Sequence, residues 1–395
     1  MDADVLIVGA GPAGSAAAIQ LARNGHRVIL VDRAKFPRDK PCGDYCDPGA
    51  VHAIEQLGCL PDALAAGAVA IPGMRIVAQD GTELSASFPN GRGLLLPRVR
   101  LDYVLLRRAA SAGAEIVEGF RVDEVAAGAD GVEIRDSRDR RLKASLLIAA
   151  DGMRSVTARR LGLYSEVTSG RFTVGAYFEV PDTMARGELH LGPGLYCGVA
   201  RFGRGRANVC MALPRERLKG RSPEQAFSDA LPSLPVLADD LAGARRISAF
   251  RSSGPVGFRT SRAASNRVLL AGDAAMQIDP MTGQGICFAL RSGILAAETA
   301  ANGLMTQNLS GSGLGAYARR RAVEFGRKVT VARMLHSLAL RPAVTPSLVR
   351  RLVARPELAS QLLGVAGDVL APNSVLHPHY LWNLLAVRPS NAPRA

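Results

Sequence analysis

Residues 4–33, DVLIVGAGPAGSAAAIQLARNGHRVILVDR, read as an apolar strand, a glycine turn, a small-residue helix and a second apolar strand ending on an acid. That order makes a βαβ unit shaped to hold a dinucleotide. Gly9 lets the chain turn tightly after the strand, Gly11 lets the backbone approach a pyrophosphate, and Gly14 lets the helix pack close to the strand. The free N–H groups at the helix start then point at the phosphates. Asp32, eighteen residues after Gly14, stands where a carboxylate accepts from a ribose diol. An acid there favours FAD or NAD over NADP, whose 2′-phosphate it would repel. Glycine is common, so GxGxxG alone says little; its weight comes from strand, helix, second strand and terminal acid appearing in order.

Working outward, 395 residues exceed one ordinary core, so two domains or one elaborated domain are expected. No run of eighteen apolar residues occurs, and no basic leader precedes the first strand. Neither a signal peptide nor a spanning helix is indicated. Six cysteines without CxxC pairs then suggest reduced thiols in a cytoplasmic protein. Lys and Arg exceed Asp and Glu by 49 to 35, a net charge of +14. The arginines are dispersed and no RNA-type aromatic motif accompanies them, which argues against nucleic acid. Cys42 and Cys46 lack matching ligands and CxxxC is a poor zinc spacing, so no metal is expected.

The fold class expected is mixed α/β: a Rossmann-type dinucleotide-binding domain with an inserted β-sheet substrate domain and a helical C-terminus. The first domain is assigned to 1–75, 98–164 and 256–310, and the sheet domain to 76–97 and 165–255. Alternation over 71–96, with Asp80-Gly81 as a hairpin turn, and the segments FTVGAYFEV, GELHLG, LYCGVARFG and RANVCMAL carry the sheet assignment. One helical stretch, SPEQAFSDAL, interrupts them. From 311 onward the pattern is helical, with Val331, Met334, Leu335 and Leu338 on one face.

Three motifs in this order resemble the flavoprotein monooxygenase superfamily with the para-hydroxybenzoate hydroxylase fold: GAGPAG at 9–14, AADGMRSVTARRLG at 149–162 and AGDAAMQIDPMTGQGICFAL at 271–290. FPRDKPCGD at 36–44, DPMTGQGI at 279–286 and the helix FALRSGILAAE are closer to the geranylgeranyl reductase and flavin halogenase branch. The resemblance implies FAD, with NAD(P)H as reductant. It implies cofactor contacts at Gly9, Gly11, Pro12, Ala13, Gly14, Asp32, Arg33, Cys42, Gly43, Arg98, Asp151, Gly152, Gly272, Asp273, Pro280, Gly283, Gln284, Gly285 and Ile286. Asp273 ends a buried strand, where it would accept from ribityl hydroxyls. Pro280, Gly283 and Gly285 open a helix whose N-terminus would stabilise an anionic reduced flavin. Cys42, Asp44, Tyr45 and Pro280 are the catalytic candidates, because the resemblance puts their loops beside the ring.

The chain also departs from those relatives. The halogenases show a paired-tryptophan motif, whereas the only tryptophan here is Trp382. The prenyl reductases' tyrosine/tryptophan-phenylalanine-proline signature is reduced, in GLYCGVARFGRGRANVCMAL, to Tyr196 and a glycine hairpin. The expected function is therefore an FAD-dependent monooxygenase, transferring oxygen from a C4a-hydroperoxide to a hydrophobic polyketide, aromatic or isoprenoid substrate. An alkene reductase of the geranylgeranyl type is the alternative, and a non-catalytic flavin-binding or carrier-protein-interacting module stands apart from both. Leu348, Val349 and Leu352 beside Arg350, Arg351 and Arg355 suit the C-terminal helices to plain packing or a dimer contact, and also to shielding a greasy substrate tunnel or resting on an anionic membrane. An acidic carrier protein is a further partner that the positive charge would suit.

Overall fold

A computed structural model describes residues 1–385. The chain opens with β1 (Ala3–Val8), α1 (Pro12–Arg23) and β2 (Val28–Asp32). β3 (Tyr45–Cys46), α2 (Pro48–Gln56), α3 (Leu60–Ala65) and β4 (Val69–Ile71) lead to the hairpin β5 (Gly73–Val77) and β6 (Glu83–Ser87), then β7 (Gly93–Leu95). Next come α4 (Arg98–Ser111), β8 (Glu115–Glu118), β9 (Val122–Ala127), β10 (Val132–Asp136), β11 (Arg141–Ala149) and α5 (Val156–Arg160). The middle is β12 (Tyr164–Glu179), β13 (Arg186–Gly192), β14 (Leu195–Gly203), β15 (Arg206–Pro214), α6 (Pro223–Ala230), α7 (Pro235–Asp240) and β16 (Arg251–Thr260). β17 (Ala264–Ser265) and β18 (Val268–Leu270) precede α8 (Gly285–Met305), α9 (Gly315–Ala339), α10 (Thr345–Val353), α11 (Pro356–Ala366), α12 (Asn373–Leu376) and α13 (Pro378–Leu385).

The first sheet runs β17-β18-β11-β1-β2-β8, with β18, β11, β1, β2 and β8 parallel and β9–β10 attached to β11. Its central strand is buried on both faces, which is why β1 reads as a continuous apolar run. Val5, Leu6 and Ile7 are fully buried, each contributing on the order of 1.5–3 kcal/mol by leaving water. α1 lies against α8 through small residues: a Cβ on Gly293 would come within 2.1 Å of the Ala13 carbonyl oxygen. That approach brings the starts of both helices to one cavity beyond the carboxyl ends of the parallel strands.

The second sheet runs β16-β12-β15-β14-β13-β5-β6, antiparallel except where β13 meets β5. Alternation gives it two unlike faces. One packs Val174, Phe178, Val209 and Met211 under α6 and α7, where Phe178, Phe227 and Phe250 form an aromatic cluster. The other carries Thr173, Leu189, Leu191, Tyr196, Cys210 and Ala212 toward the cavity. α7 is an addition to the sequence expectation: PVLADD is too short to show helical periodicity, and the burial of Leu237 holds it in place. The alternating stretch 71–96 divides, β5–β6 joining this sheet from residue 73 while β4 and β7 form a small sheet with β3.

Between strands, Glu188 is fully buried and pairs with Arg75, Arg186, Arg201 and His190. Burial alone would push its pKa up, but His190 and the guanidiniums of Arg201 and Arg186 outweigh that and hold the carboxyl well below the usual range. The C-terminal helices close the β5–β6 end, with Leu84, Val331, Val349, Leu352 and Leu358 in one cluster. No helix among the described residues is long and apolar enough to cross a membrane.

Candidate active site

The βαβ turn has the geometry its glycines require. Gly9 adopts φ +99°, and a Cβ there would lie 2.4 Å from the Ala150 carbonyl oxygen. At Gly14 a Cβ would sit 1.8 Å from the Gly9 oxygen. Gly11, by contrast, faces open space, its nearest neighbour being an Arg38 nitrogen 3.6 Å from a built Cβ. It is the N-cap of α1 and supplies no side-chain cap; Pro12 has no N–H, so the Ala13 N–H behind it is the first helix donor that remains for an anion. Asp32 is buried and ties the unit together, accepting from the backbone N–H of Ala10 and of Ala34 at 2.8 Å each. One lone pair on each oxygen stays free for a diol. Arg33 is exposed and lies off the cavity wall. The arginine that does reach this turn is Arg38, paired with Asp102 at 3.0 Å and 3.9 Å from Asp32.

The other two motifs converge on the same cavity. Gly152 (φ +82°) and Gly272 (φ +58°) turn the chain at the ends of β11 and β18, and both line the wall with Asp273. Asp151 itself is set behind, accepting from the Thr157 N–H at 3.1 Å. Its Oδ1 is buried without a partner, and burial raises its pKa. Lys40 reaches the wall between these turns, 3.9 Å from a Cβ built on Gly152. Burial lowers its pKa while Asp273 opposes the shift. Pro280, Gly283, Gly285 and Ile286 line the cavity at the start of α8. Gln284 instead turns inward, 3 % exposed, accepting from the Thr282 hydroxyl. Gly283 (φ +72°) lies so close to the Tyr45 ring that a Cβ would be 2.7 Å from it.

These features fit FAD along the cavity. An uncapped helix start and two cations stand at one end, an unpartnered carboxylate oxygen and Asp273 in the middle, and a second helix start at the other end.

Cys42, Gly43, Tyr45 and Arg98 line the wall between those ends, whereas Asp44 sits behind them. Arg98 makes a two-pronged pair with buried Asp102, at 2.7 and 2.8 Å, and its backbone N–H donates to Asp44 Oδ1 at 3.0 Å. Asp44 Oδ2 accepts from Asn208 Nδ2 at 2.6 Å and from the Tyr177 hydroxyl. Asn208 also donates to the Cys42 carbonyl at 2.7 Å, so one amide holds the loop to the sheet. Burial pushes Asp44 up to about 6, against the pull of its hydrogen bonds from Tyr177, Arg98 and Asn208. Burial also raises the Cys42 thiol, with Arg98 countering. The sequence reading named Cys42 and Asp44 as candidates and did not name Tyr177 or Asn208, which the structure brings to them. They lie more than 130 residues away, and their only signal was a polar residue on the inward face of a strand.

Past Pro280 the same cavity, about 370 Å³, continues between the second sheet and the C-terminal helices. Its wall there is apolar: Ile76, Leu84, Leu189 and Leu191 from strands, and Leu335, Leu348, Leu352, Ala359 and Leu363 from helices. α10 turns Leu348, Val349 and Leu352 onto this wall. Arg350 reaches out to Asp80, and Arg351 and Arg355 donate to carbonyls of α13.

Known proteins agree with this geometry. The FAD binding domain family matches residues 2–324. The menaquinone reductase of Mycobacterium tuberculosis H37Rv is 32% identical over 376 residues, covering 87% of this chain and 86% of that protein. Digeranylgeranylglycerophospholipid reductase 2 of Methanopyrus kandleri is 30% identical over 346 residues, covering 83% and 84%. Among solved structures, the flavin-dependent brominase Bmp2 superposes with a TM-score of 0.82 at 19% identity over 92% of this chain and 93% of its own. A flavoprotein/dehydrogenase from Cytophaga hutchinsonii superposes with 0.81 at 20% over 96% of each chain. Fold, cavity and family match together place the chain in the FAD binding domain family, as an FAD-dependent oxidoreductase.

Proposed function

We propose that this protein reduces carbon–carbon double bonds in a long isoprenoid chain, with NAD(P)H reducing its FAD. The observation that carries this reading is the cavity's unbroken course from the cofactor groove into an apolar passage roofed by α10 and α11. A polar or compact aromatic substrate has no use for such a passage, whereas a prenyl chain buries its methylenes along it at roughly 25 cal/mol per Å². Relatives sharing about a third of the sequence are named for reducing prenylated lipids.

The chain's residues take these parts. The backbone N–H groups of Gly11 and Ala13, with Arg38 and Lys40, would hold the pyrophosphate; Asp32 would take the adenosine ribose; Asp273 and Asp151 would take ribityl hydroxyls. Pro280–Ile286 opens a helix whose N-terminus would stabilise negative charge on the reduced ring. When bound, the cofactor supplies the hydride. Cys42, Tyr45 and Pro280 set the distance between ring and substrate, and Asp44, through Asn208 and Tyr177, fixes the loop that carries Cys42. The apolar walls exclude water, so the substrate alone meets the ring.

The purified protein, given FAD and an NADPH-regenerating system without oxygen, should add two hydrogens per double bond to menaquinone or digeranylgeranylglycerophospholipid, read by mass spectrometry. Turnover that needs air and adds one oxygen atom would instead establish the oxygenation expected from the motifs. A protein that changes neither lipid would refute the proposal.

A further inference from the structure

We propose that Tyr196, Asp279 and His336 form a line that delivers a proton from solvent to the substrate end of the cavity. This rests on the reduction reading above, because a hydride added to one carbon leaves its neighbour needing a proton. Tyr196 is 3% exposed on the inward face of β14 and lines the cavity. Its hydroxyl donates to Asp279 Oδ1, the carboxylate that caps the Pro280 turn and accepts from the Met281 N–H at 3.2 Å. The other oxygen, Asp279 Oδ2, lies 3.2 Å from His336 Nε2 as a buried ion-pair contact, close enough for proton transfer after a small turn of the ring though not aligned as a hydrogen bond. His336 sits on α9 edge-on to the Tyr196 ring, with 23% of its side chain reaching water. Three separate segments, the second sheet, the flavin-side turn and a C-terminal helix, thus meet through one carboxylate with tyrosine on the dry side and histidine on the wet side.

The proton donor must face the substrate yet be refilled from outside. The Asp44–Tyr177 pair does not meet the first condition, since neither residue is on the wall of the large cavity. In the step proposed, the Tyr196 O–H bond breaks and a C–H bond forms on one alkene carbon. The other carbon receives the hydride, with both electrons, from the reduced cofactor. The His336 imidazolium protonates the Asp279 carboxylate, the carboxylic acid so formed gives its proton to the tyrosinate, and the neutral His336 takes one from solvent. The net change is one hydride and one solvent proton per double bond.

The order of the line dictates the test. Tyr196→Phe keeps the ring and should slow reduction by roughly 10²- to 10⁴-fold in the first turnover and in later ones. His336→Ala should leave the first turnover at the wild-type rate, because Tyr196 already carries its proton. Later turnovers should slow, and added imidazole should restore them. FAD affinity and NADPH-driven bleaching should be unchanged in both variants. In the FAD-free protein labelled with ¹⁵N-histidine, Asp279→Asn, which still caps the turn, should shift the one imidazole signal that His336→Ala deletes. If wild-type protein reduces lipid and Tyr196→Phe keeps pace, or the His336 signal ignores Asp279, the relay is wrong and the reduction reading stands. Wild-type protein that reduces no double bond without oxygen overturns both.

Discussion

The Asp44 carboxyl offers a test of the catalytic loop that needs no substrate. Its pKa of about 6 stands against 3.8 for an ordinary aspartate, a difference of about 2.2 units, or about 3 kcal/mol at 1.36 kcal/mol per unit. The sign follows from proton binding: a raised folded-state pKa contributes stability that is complete below pH 3.8 and disappears as pH rises through 6. By linkage, about 1.4 kcal/mol of it should be lost between pH 5 and pH 8. Asp44→Asn cannot titrate, and it presents an N–H₂ where the site offers three donors, from Arg98, Tyr177 and Asn208. Denaturant unfolding of both FAD-loaded proteins at pH 5 and 8 is the assay. The variant should be less stable at both, and the wild-type advantage should shrink by about 1.4 kcal/mol at the higher pH. An advantage that stays constant or grows with pH would refute a carboxyl destabilised by burial, and with it the claim that Asp44 is sealed behind the Cys42 loop.

Gly14→Ala puts a Cβ where the Gly9 carbonyl already stands, 1.8 Å away; FAD affinity should fall by on the order of 10- to 100-fold, read by flavin fluorescence quenching. Ala359→Leu, at the roofed end of the passage, should cut turnover of the longest prenyl chains by roughly tenfold while sparing short ones, measured across a chain-length series. Glu188→Gln strips the buried charge shared by Arg201, Arg186 and Arg75, and because Arg201 keeps Asp240 as a second partner it should cost about 1–3 kcal/mol in denaturant unfolding at pH 7. Because the Glu188 carboxyl is held below its usual range, its contribution is present at neutral pH and lost as pH falls, opposite in sign to that of Asp44.

Local chemistry determined the cofactor half of this protein, and the sequence alone displayed it. Glycines at 9, 11 and 14 are needed because two backbones nearly touch there, an acid must end β2 to meet the turn, and Gly152 and Gly272 take left-handed turns at strand ends. Such constraints act within a few residues, so they leave a pattern in the chain. The reacting half was decided by the tertiary structure. Asp44 meets Asn208 and Tyr177, and Asp279 meets Tyr196 and His336, only because the inserted sheet and α9 fold back over the first domain. Nothing in a lone strand tyrosine or helix histidine announces its partner. Arg33, beside the motif acid, gave way to Arg38, since the chain's exit from β2 turns one guanidinium outward and the other back over Gly11. The C-terminal helices carried both a greasy face and a basic one; packing against β6 turned the greasy face inward and made it the wall of the passage.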